Sequence, residues 1–326
     1  MCNFATEMDF EEKNNIPVGR FAPSPTGRMH LGNVYAALMS WLSVKSRGGR
    51  WVLRIEDLDT CRSKLEYAKL LEDDLIWLGL DWDEGGLENI GIHGPYMQSK
   101  RGEFYEEALA KLEALGLLYR CRCRRADILA TQAPHQSDGR VVYSGRCRPL
   151  DRPPFPLMRE GGAVRLYVPG EDIRFKDRYF GMQRVNLATH CGDFILRRAD
   201  GAWAYQLAVV VDDAAMGITE VVRGCDLLLS AAQQIYLYRL LGLREPEFAH
   251  IPLICNARGI RLSKRDSSLS MDQLRKAYSP SQILGYLAGE CGLCGKGAET
   301  SLEDLLELYS SFAMVGREKI MVDSVL

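Results

Sequence analysis

The chain has 326 residues, 47% hydrophobic and 26% charged, with 41 basic and 43 acidic side chains for a formal net charge of -2. Such a composition excludes a disordered or collagen-like chain and fits about two globular domains. No apolar run approaches the ~18 residues that would span a bilayer, and the first residues have neither a basic nor an apolar leader region, so the cytoplasm is the expected compartment. A polyanionic partner would have to be met by a local patch. The ten cysteines are scattered through a long chain, which argues for reduced thiols over a disulfide framework.

Residues 17–23 (PVGRFAP) and 51–57 (WVLRIED) are short β-prone runs bounded by turn residues, and each leads into a helix-like stretch. The first helix starts near His30 with Val34, Ala37, Leu38, Trp41 and Leu42 on one face. The second covers roughly 64–78, with Ala68, Leu71, Leu75 and Leu78 aligned and Gly79 as its stop. A third aligns Phe104, Ala108, Leu112 and Leu115 before Gly116. Strands joined through helices predict a parallel sheet covered on both faces.

From Leu118 to about Val168 the pattern changes to dense Arg, clustered Cys and a Pro-rich stretch, which reads as an insertion. Strand character returns at 193–198, 204–211 and 218–223, where the sheet is expected to resume. A helix follows with Ala231, Ile235, Tyr238 and Leu241 aligned. Beyond His250 come a loop and a short helical tail, where Thr300 and Glu303 form a capping-box pattern.

Two strings carry chemistry. Pro23-Ser24-Pro25-Thr26-Gly27 and Met29-His30-Leu31-Gly32-Asn33 stand where a strand hands over to a helix, a place that presents backbone N–H groups and a positive dipole to a nucleotide phosphate. Gly32 would admit a flat purine, and His30 can donate to a phosphate oxygen. His30 alone would read as an incidental helix start; the whole string does not. Far downstream, Arg261-Leu262-Ser263-Lys264-Arg265 follows Gly259 in a polar loop able to close over a triphosphate.

Together these strings resemble the two signature motifs of the class I aminoacyl-tRNA synthetases, and their neighbours resemble the glutamyl branch. The matching pieces are 19–33, 54–59 (RIEDLD), 204–213 (AYQLAVVVDD), 221–228 (VVRGCDLL) and 261–265, in order over about 250 residues. Ser24-Pro25-Thr26 stands where glutaminyl enzymes have Glu-Pro-Asn, which favours glutamate. The resemblance implies a Rossmann-like α/β catalytic domain, with ATP bound by Pro23, His30, Gly32, Asn33, Ser263 and Lys264. His30 and Lys264 are its catalytic pair. For glutamate it implies Arg20 and Arg223 on the side-chain carboxylate, Glu56 and Tyr205 on the α-ammonium, and Ser24 nearby. Glu56 and Asp57 could instead cap a helix, Tyr205 could be a core aromatic and Arg223 a structural ion-pair partner.

Only 61 residues follow Arg265, so no anticodon-binding domain is expected, and residues 246–326 read as the signature loop with a short α-helical region. Cys121-x-Cys123 with Tyr143 and Cys147 crowds three thiols and a harder donor into 27 residues of the insertion, enough for a closed tetrahedral zinc site. A truncated glutamyl-type chain with this pattern resembles the family that glutamylates queuosine in tRNA(Asp). The resemblance makes Tyr143 the fourth ligand, with His135 the rival. It implies zinc, Mg²⁺ with ATP, L-glutamate and queuosine-bearing tRNA(Asp) as cofactors and partners, with the chain a monomer. The domains expected are 17–117 and 191–245 as the split catalytic domain, 118–190 as the zinc-containing, RNA-contacting insertion, and the tail. Seven Arg against two Asp between Tyr119 and Arg148 would suit phosphate tracking or equally a solvated loop. A shortened synthetase for tRNA(Glu) and an inactive RNA-binding relic remain as alternatives.

Overall fold

The strand β1 (Val18–Phe21) is buried along its whole length and pairs in parallel with β2 (Arg50–Leu53), Gly19 facing Trp51 and Phe21 facing Leu53. This computed structural model describes residues 16–124, 142–150, 153–155, 161–262, 269–312 and 316–322. The crossover runs through the helix Leu31–Lys45, which begins at His30 as expected. His30 has extended backbone and its Nδ1 accepts from Gly32 N at 3.1 Å, while Asn33 Oδ1 accepts from His30 N at 3.1 Å, so two helix-end donors are satisfied reciprocally. This helix is apolar nearly all round. It lies against β1 and β2 on one side and the helix Leu302–Ser310 on the other, and a Cβ on Gly19 would come within 2.7 Å of Val44, so strand and helix touch backbone to side chain.

The helix Leu65–Leu78 buries Ala68, Leu71, Leu75 and Leu78 and stops at Gly79, whose φ of +78° needs no Cβ. The next helix, Gly102–Ala114, corrects its expected face: Tyr105, Ala108, Leu109 and Leu112 are buried, whereas Phe104 and Leu115 are exposed. Phe104 is taken by the Arg101 guanidinium, 4.3 Å from its ring centre, and Tyr105 points inward in its place.

β2 also pairs in parallel with β3 (Glu84–Gly85). On the far side of β1 lies β9 (Glu220–Gly224), the adjoining Thr219 N donating to Val18 O at 2.9 Å. β9 pairs in parallel with β10 (Glu247–Ile251), and β10 meets β6 (Asp172–Asp177), which forms a hairpin with β7 (Gly181–Asn186). A separate antiparallel sheet joins β4 (Leu118–Cys121), β5 (Ala163–Leu166) and β8 (Phe194–Arg197) in that order. The strand expected at 193–198 therefore exists but belongs to this second sheet.

The strand expected at 204–211 is a helix, Tyr205–Ala215. A continuous apolar run does not distinguish a buried strand from a buried helix. Here packing decides: the segment lies between the helices Gly102–Ala114 and Leu228–Leu241, burying Leu207, Ala208, Val210 and Val211. In the tail, β11 (Leu253–Cys255) pairs in parallel with β12 (Lys319–Met321), and the last helix is capped by Ser301 with Asp304, one residue beyond the expected Thr300–Glu303 pair. Among the described residues no helix is long and apolar enough to cross a membrane.

Candidate active site

A cavity of about 490 Å³ opens where β1, β2 and β9 end and the helix Leu31–Lys45 begins. Its lining brings together Arg20, Pro23, Ser24, His30, Gly32, Asn33, Glu56, Tyr205 and Arg223, which the sequence spreads over more than 200 positions. Arg261 and Leu262 of the downstream motif line it too; Ser263 and Lys264 lie outside the described residues. Gly32 sits under the His30 ring, where a Cβ would meet Cε1 at 3.1 Å. His30 thus acts as helix cap through Nδ1 while its ring faces the cavity.

Behind this wall stands a buried charge lattice. Arg20 Nε lies 3.3 Å from Asp213 Oδ1; Arg54 reaches Asp213 at 2.6 Å and Glu56 at 3.2 Å; Arg101 reaches Asp212 at 2.5 Å. Gln98 and Tyr105 also donate to Asp212, at 2.7 and 2.9 Å. Burial pushes the Glu56 and Asp212 carboxyls up despite their Arg partners, whereas at Asp213 the pull of Arg54 and Arg20 outweighs burial and holds the carboxyl below its usual range. Three guanidinium groups thus face three carboxylates. Arg223 stands outside that balance, donating to His250 Nε2 at 3.1 Å, to Leu227 O at 3.3 Å and to the Tyr205 hydroxyl at 3.5 Å. Burial lowers its pKa below the ordinary arginine value. A guanidinium in the cavity wall with no carboxylate at ion-pair distance among the described residues, Asp213 acting on it only from farther off, suits an anionic group such as a carboxylate.

Sequence reasoning missed Arg54, Arg101, Asp177, Asp212, Asp213 and His250. Two acidic residues closing the apolar run 205–211 were the available signal for Asp212 and Asp213. Nothing local marks Asp177 or His250.

In the insertion, the Sγ atoms of Cys121, Cys123 and Cys147 all lie within 4.8 Å of one another. The Tyr143 hydroxyl joins them, accepting from Cys121 Sγ at 3.4 Å and from Cys147 N at 2.7 Å. Burial raises the Cys123 thiol to about 11 and lifts the Tyr143 phenol further, while hydrogen bonds from the Arg122 backbone and neighbouring thiols overcome burial at Cys147 and bring it to about 7. Three soft donors and a phenol in this compass fit a tetrahedral zinc site. His135 lies outside the described residues. The subdomain is tied to β8 through Asp193, which accepts from Arg148 at 2.7 and 2.8 Å and from Val168 N at 2.9 Å.

A cavity at the ends of parallel strands, with a capped helix start in its wall, fits the catalytic domain of a class I tRNA synthetase. The family model for class I tRNA synthetases (E and Q), catalytic domain, matches residues 18–303. The glutamyl-Q tRNA(Asp) synthetase of Symbiobacterium thermophilum is 45% identical over 312 residues, covering 93% of this chain and 95% of that one. That of Nitratidesulfovibrio vulgaris is 43% identical over 313 residues, covering 94% and 96%. The chain belongs to the glutamyl-Q tRNA(Asp) synthetase family of class I tRNA synthetases. Its fold is similar to the crystal structure of glutamate-tRNA synthetase from Elizabethkingia anophelis, with a TM-score of 0.77 at 27% identity, over 93% of this chain and 68% of that one.

Proposed function

We propose that the chain activates L-glutamate with ATP in the absence of tRNA, then transfers the glutamyl group to queuosine in the anticodon of tRNA(Asp). An oxygen of the α-carboxylate attacks the α-phosphorus of ATP, the bond to pyrophosphate breaks, and glutamyl-adenylate forms. A ring hydroxyl of queuosine then attacks the acyl carbon, loses its proton, and AMP leaves. The observation that carries this reading is the meeting of Arg20, Arg223, Tyr205 and Glu56 in one cavity with the capped helix start at His30–Asn33. Arg20 and Arg223 would fork the side-chain carboxylate, and Glu56 and Tyr205 would receive the α-ammonium. Ser24 would flank the amino acid, and Pro23, Gly32 and Asn33 would line the nucleotide. His30, together with Ser263 and Lys264 of the downstream motif, would meet the phosphates, where Mg²⁺ accompanies ATP and offsets developing charge.

Cys121, Cys123, Cys147 and Tyr143 would hold one structural zinc, which would brace a loop-rich insertion with little core of its own. The Arg-rich stretch from Tyr119 to Arg148, of which 125–141 lie outside the described residues and Arg148 is held inward by Asp193, would then offer its remaining arginines to anticodon-loop phosphates, with the chain acting as a monomer. Acylation of tRNA(Asp) from cells with and without queuosine, beside tRNA(Glu), tests the reading. Charging confined to queuosine-bearing tRNA(Asp) is expected. Efficient charging of tRNA(Glu) would restore a shortened glutamyl-tRNA synthetase, and no pyrophosphate exchange with glutamate would leave an RNA-binding relic.

A further inference from the structure

Arg20 and Arg223 reach the same cavity but are held by opposite means. Arg20 leans on a carboxylate, Asp213. Arg223 leans on a neutral ring. Asp177, fully buried at the end of β6, accepts through Oδ1 from Tyr179 N (3.0 Å) and Phe180 N (2.9 Å), and through Oδ2 from His250 N (3.2 Å) and His250 Nδ1 (2.6 Å). A carboxylate only accepts, so the ring proton sits on Nδ1 and Nε2 offers a lone pair. Arg223 Nε donates to that lone pair at 3.1 Å. Burial lowers the His250 pKa, which keeps the ring uncharged.

The strand register builds this relay. Asp177 faces Phe248 across the β6–β10 pair, and His250 faces Arg223 across the β10–β9 pair. Phe248 lies beneath both, 6.1 Å from the His250 ring and 5.3 Å from the Arg223 guanidinium carbon. With Nε occupied, the side-on fork of Arg223 is closed. Only the end carrying Nη1 and Nη2 remains for a substrate carboxylate, and it points toward Tyr205 and Leu227 in the cavity wall. A carboxylate in the place of His250 would hold the guanidinium as firmly but cancel its charge.

We propose that Asp177 and His250 are positioning residues that fix Arg223 end-on and uncancelled toward the substrate, and so set the preference for glutamate over glutamine. Neither lines the cavity, so both act through Arg223. The proposal rests on the assignment of Arg223 to the glutamate side-chain carboxylate.

The full chain is tested by ATP–pyrophosphate exchange with glutamate and with glutamine, for wild type, Asp177→Asn, His250→Leu and His250→Gln. In Asp177→Asn the amide oxygen keeps the loop N–H groups, while its NH₂ donates to Nδ1 and moves the ring proton to Nε2, against Arg223. Asp177→Asn and His250→Leu should raise KM for glutamate by about tenfold to a hundredfold, the worth of one hydrogen bond to a charged group. KM for ATP should stay unchanged and the glutamate-over-glutamine ratio should fall by the same factor. His250→Gln, which restores an acceptor, should recover part of both. Equal losses for glutamate and ATP, or an unchanged preference in variants that melt like wild type, would overturn the relay. Wild-type protein that fails to exchange with glutamate would instead sink the functional reading, and the relay with it, before any variant is compared.

Discussion

The two chemistry-bearing regions of this molecule solve the problem of buried polarity in contrasting ways. The lattice of Arg20, Arg54, Arg101, Glu56, Asp212 and Asp213 is held by its own ion pairs, inside a core built from the helices Gly102–Ala114, Tyr205–Ala215 and Leu228–Leu241. Among the described residues, the cluster of Cys121, Cys123, Tyr143 and Cys147 has around it only Tyr119 and Phe155 as further buried side chains, with Tyr167 partly buried beside it. One region is held by burial and paired charge. The other has donors converging without enough core behind them, which is the arrangement a structural metal completes. On the proposed roles, a site for a charged amino acid would be prebuilt, whereas a surface offered to RNA would be braced from within by a single ion.

Chelation should break this contrast most sharply. Metal removal is expected to abolish hydrogen-exchange protection across β4 and β5 and prevent transfer to tRNA, while glutamate activation by pyrophosphate exchange survives. Loss of both together would show that the two regions share one foundation. Replacing Tyr143 should cost more metal affinity than replacing His135, as measured by competition with a chromogenic chelator.

Arg54→Met strikes the other region. It would leave Asp213 and Glu56 short of a partner in a dry interior, and breaking a buried pair of this kind destabilises by about 3 to 5 kcal/mol. Denaturant unfolding reads that loss directly; a change within error would mean that water already reaches the lattice. Arg20→Ala would remove half of the proposed fork, a loss of about 2 to 5 kcal/mol in binding that should fall on glutamate and spare ATP in protein that still folds. Isotherms showing equal losses would reassign Arg20.

The smallest effect concerns pH. Burial raises the Glu56 carboxyl above the usual glutamate range, so on acidification it gains its proton earlier than an exposed glutamate would and, in its proposed role, would cease to attract the α-ammonium. The kcat/KM for glutamate should therefore show an acid limb above the normal carboxyl range, absent in Glu56→Gln. An identical limb in the variant would place that titration elsewhere.

Much of this was legible in the order of residues because the first half of the fold is local. Pro23 to Asn33 fixes a strand end, a turn and a capped helix within eleven positions, and Gly79 ends its helix where the apolar pattern stops. The helix Tyr205–Ala215 was not legible, since its three consecutive valines favour a strand in isolation, and its packing between the helices Gly102–Ala114 and Leu228–Leu241, with the buried partners of Asp212 and Asp213, selects the helix. Asp177 and His250 lie 73 residues apart, and the relay they form exists only once β6, β10 and β9 are side by side. Residue type announced the pocket; partnership across the sheet decided how its arginines are aimed.

The pairing of β11 with β12 has a consequence for how the protein comes into being. Leu253 and Ile254 form part of the cavity wall, and they are held by Glu318 O, which accepts from Leu253 N at 2.8 Å, and by Ile320 alongside Ile254. The wall is thus pinned by residues some 65 positions later in the chain. During synthesis this wall stays unsupported until residues 318–321 are available to pair with it. The string at 23–33 is thus synthesised long before the cavity it lines can be completed.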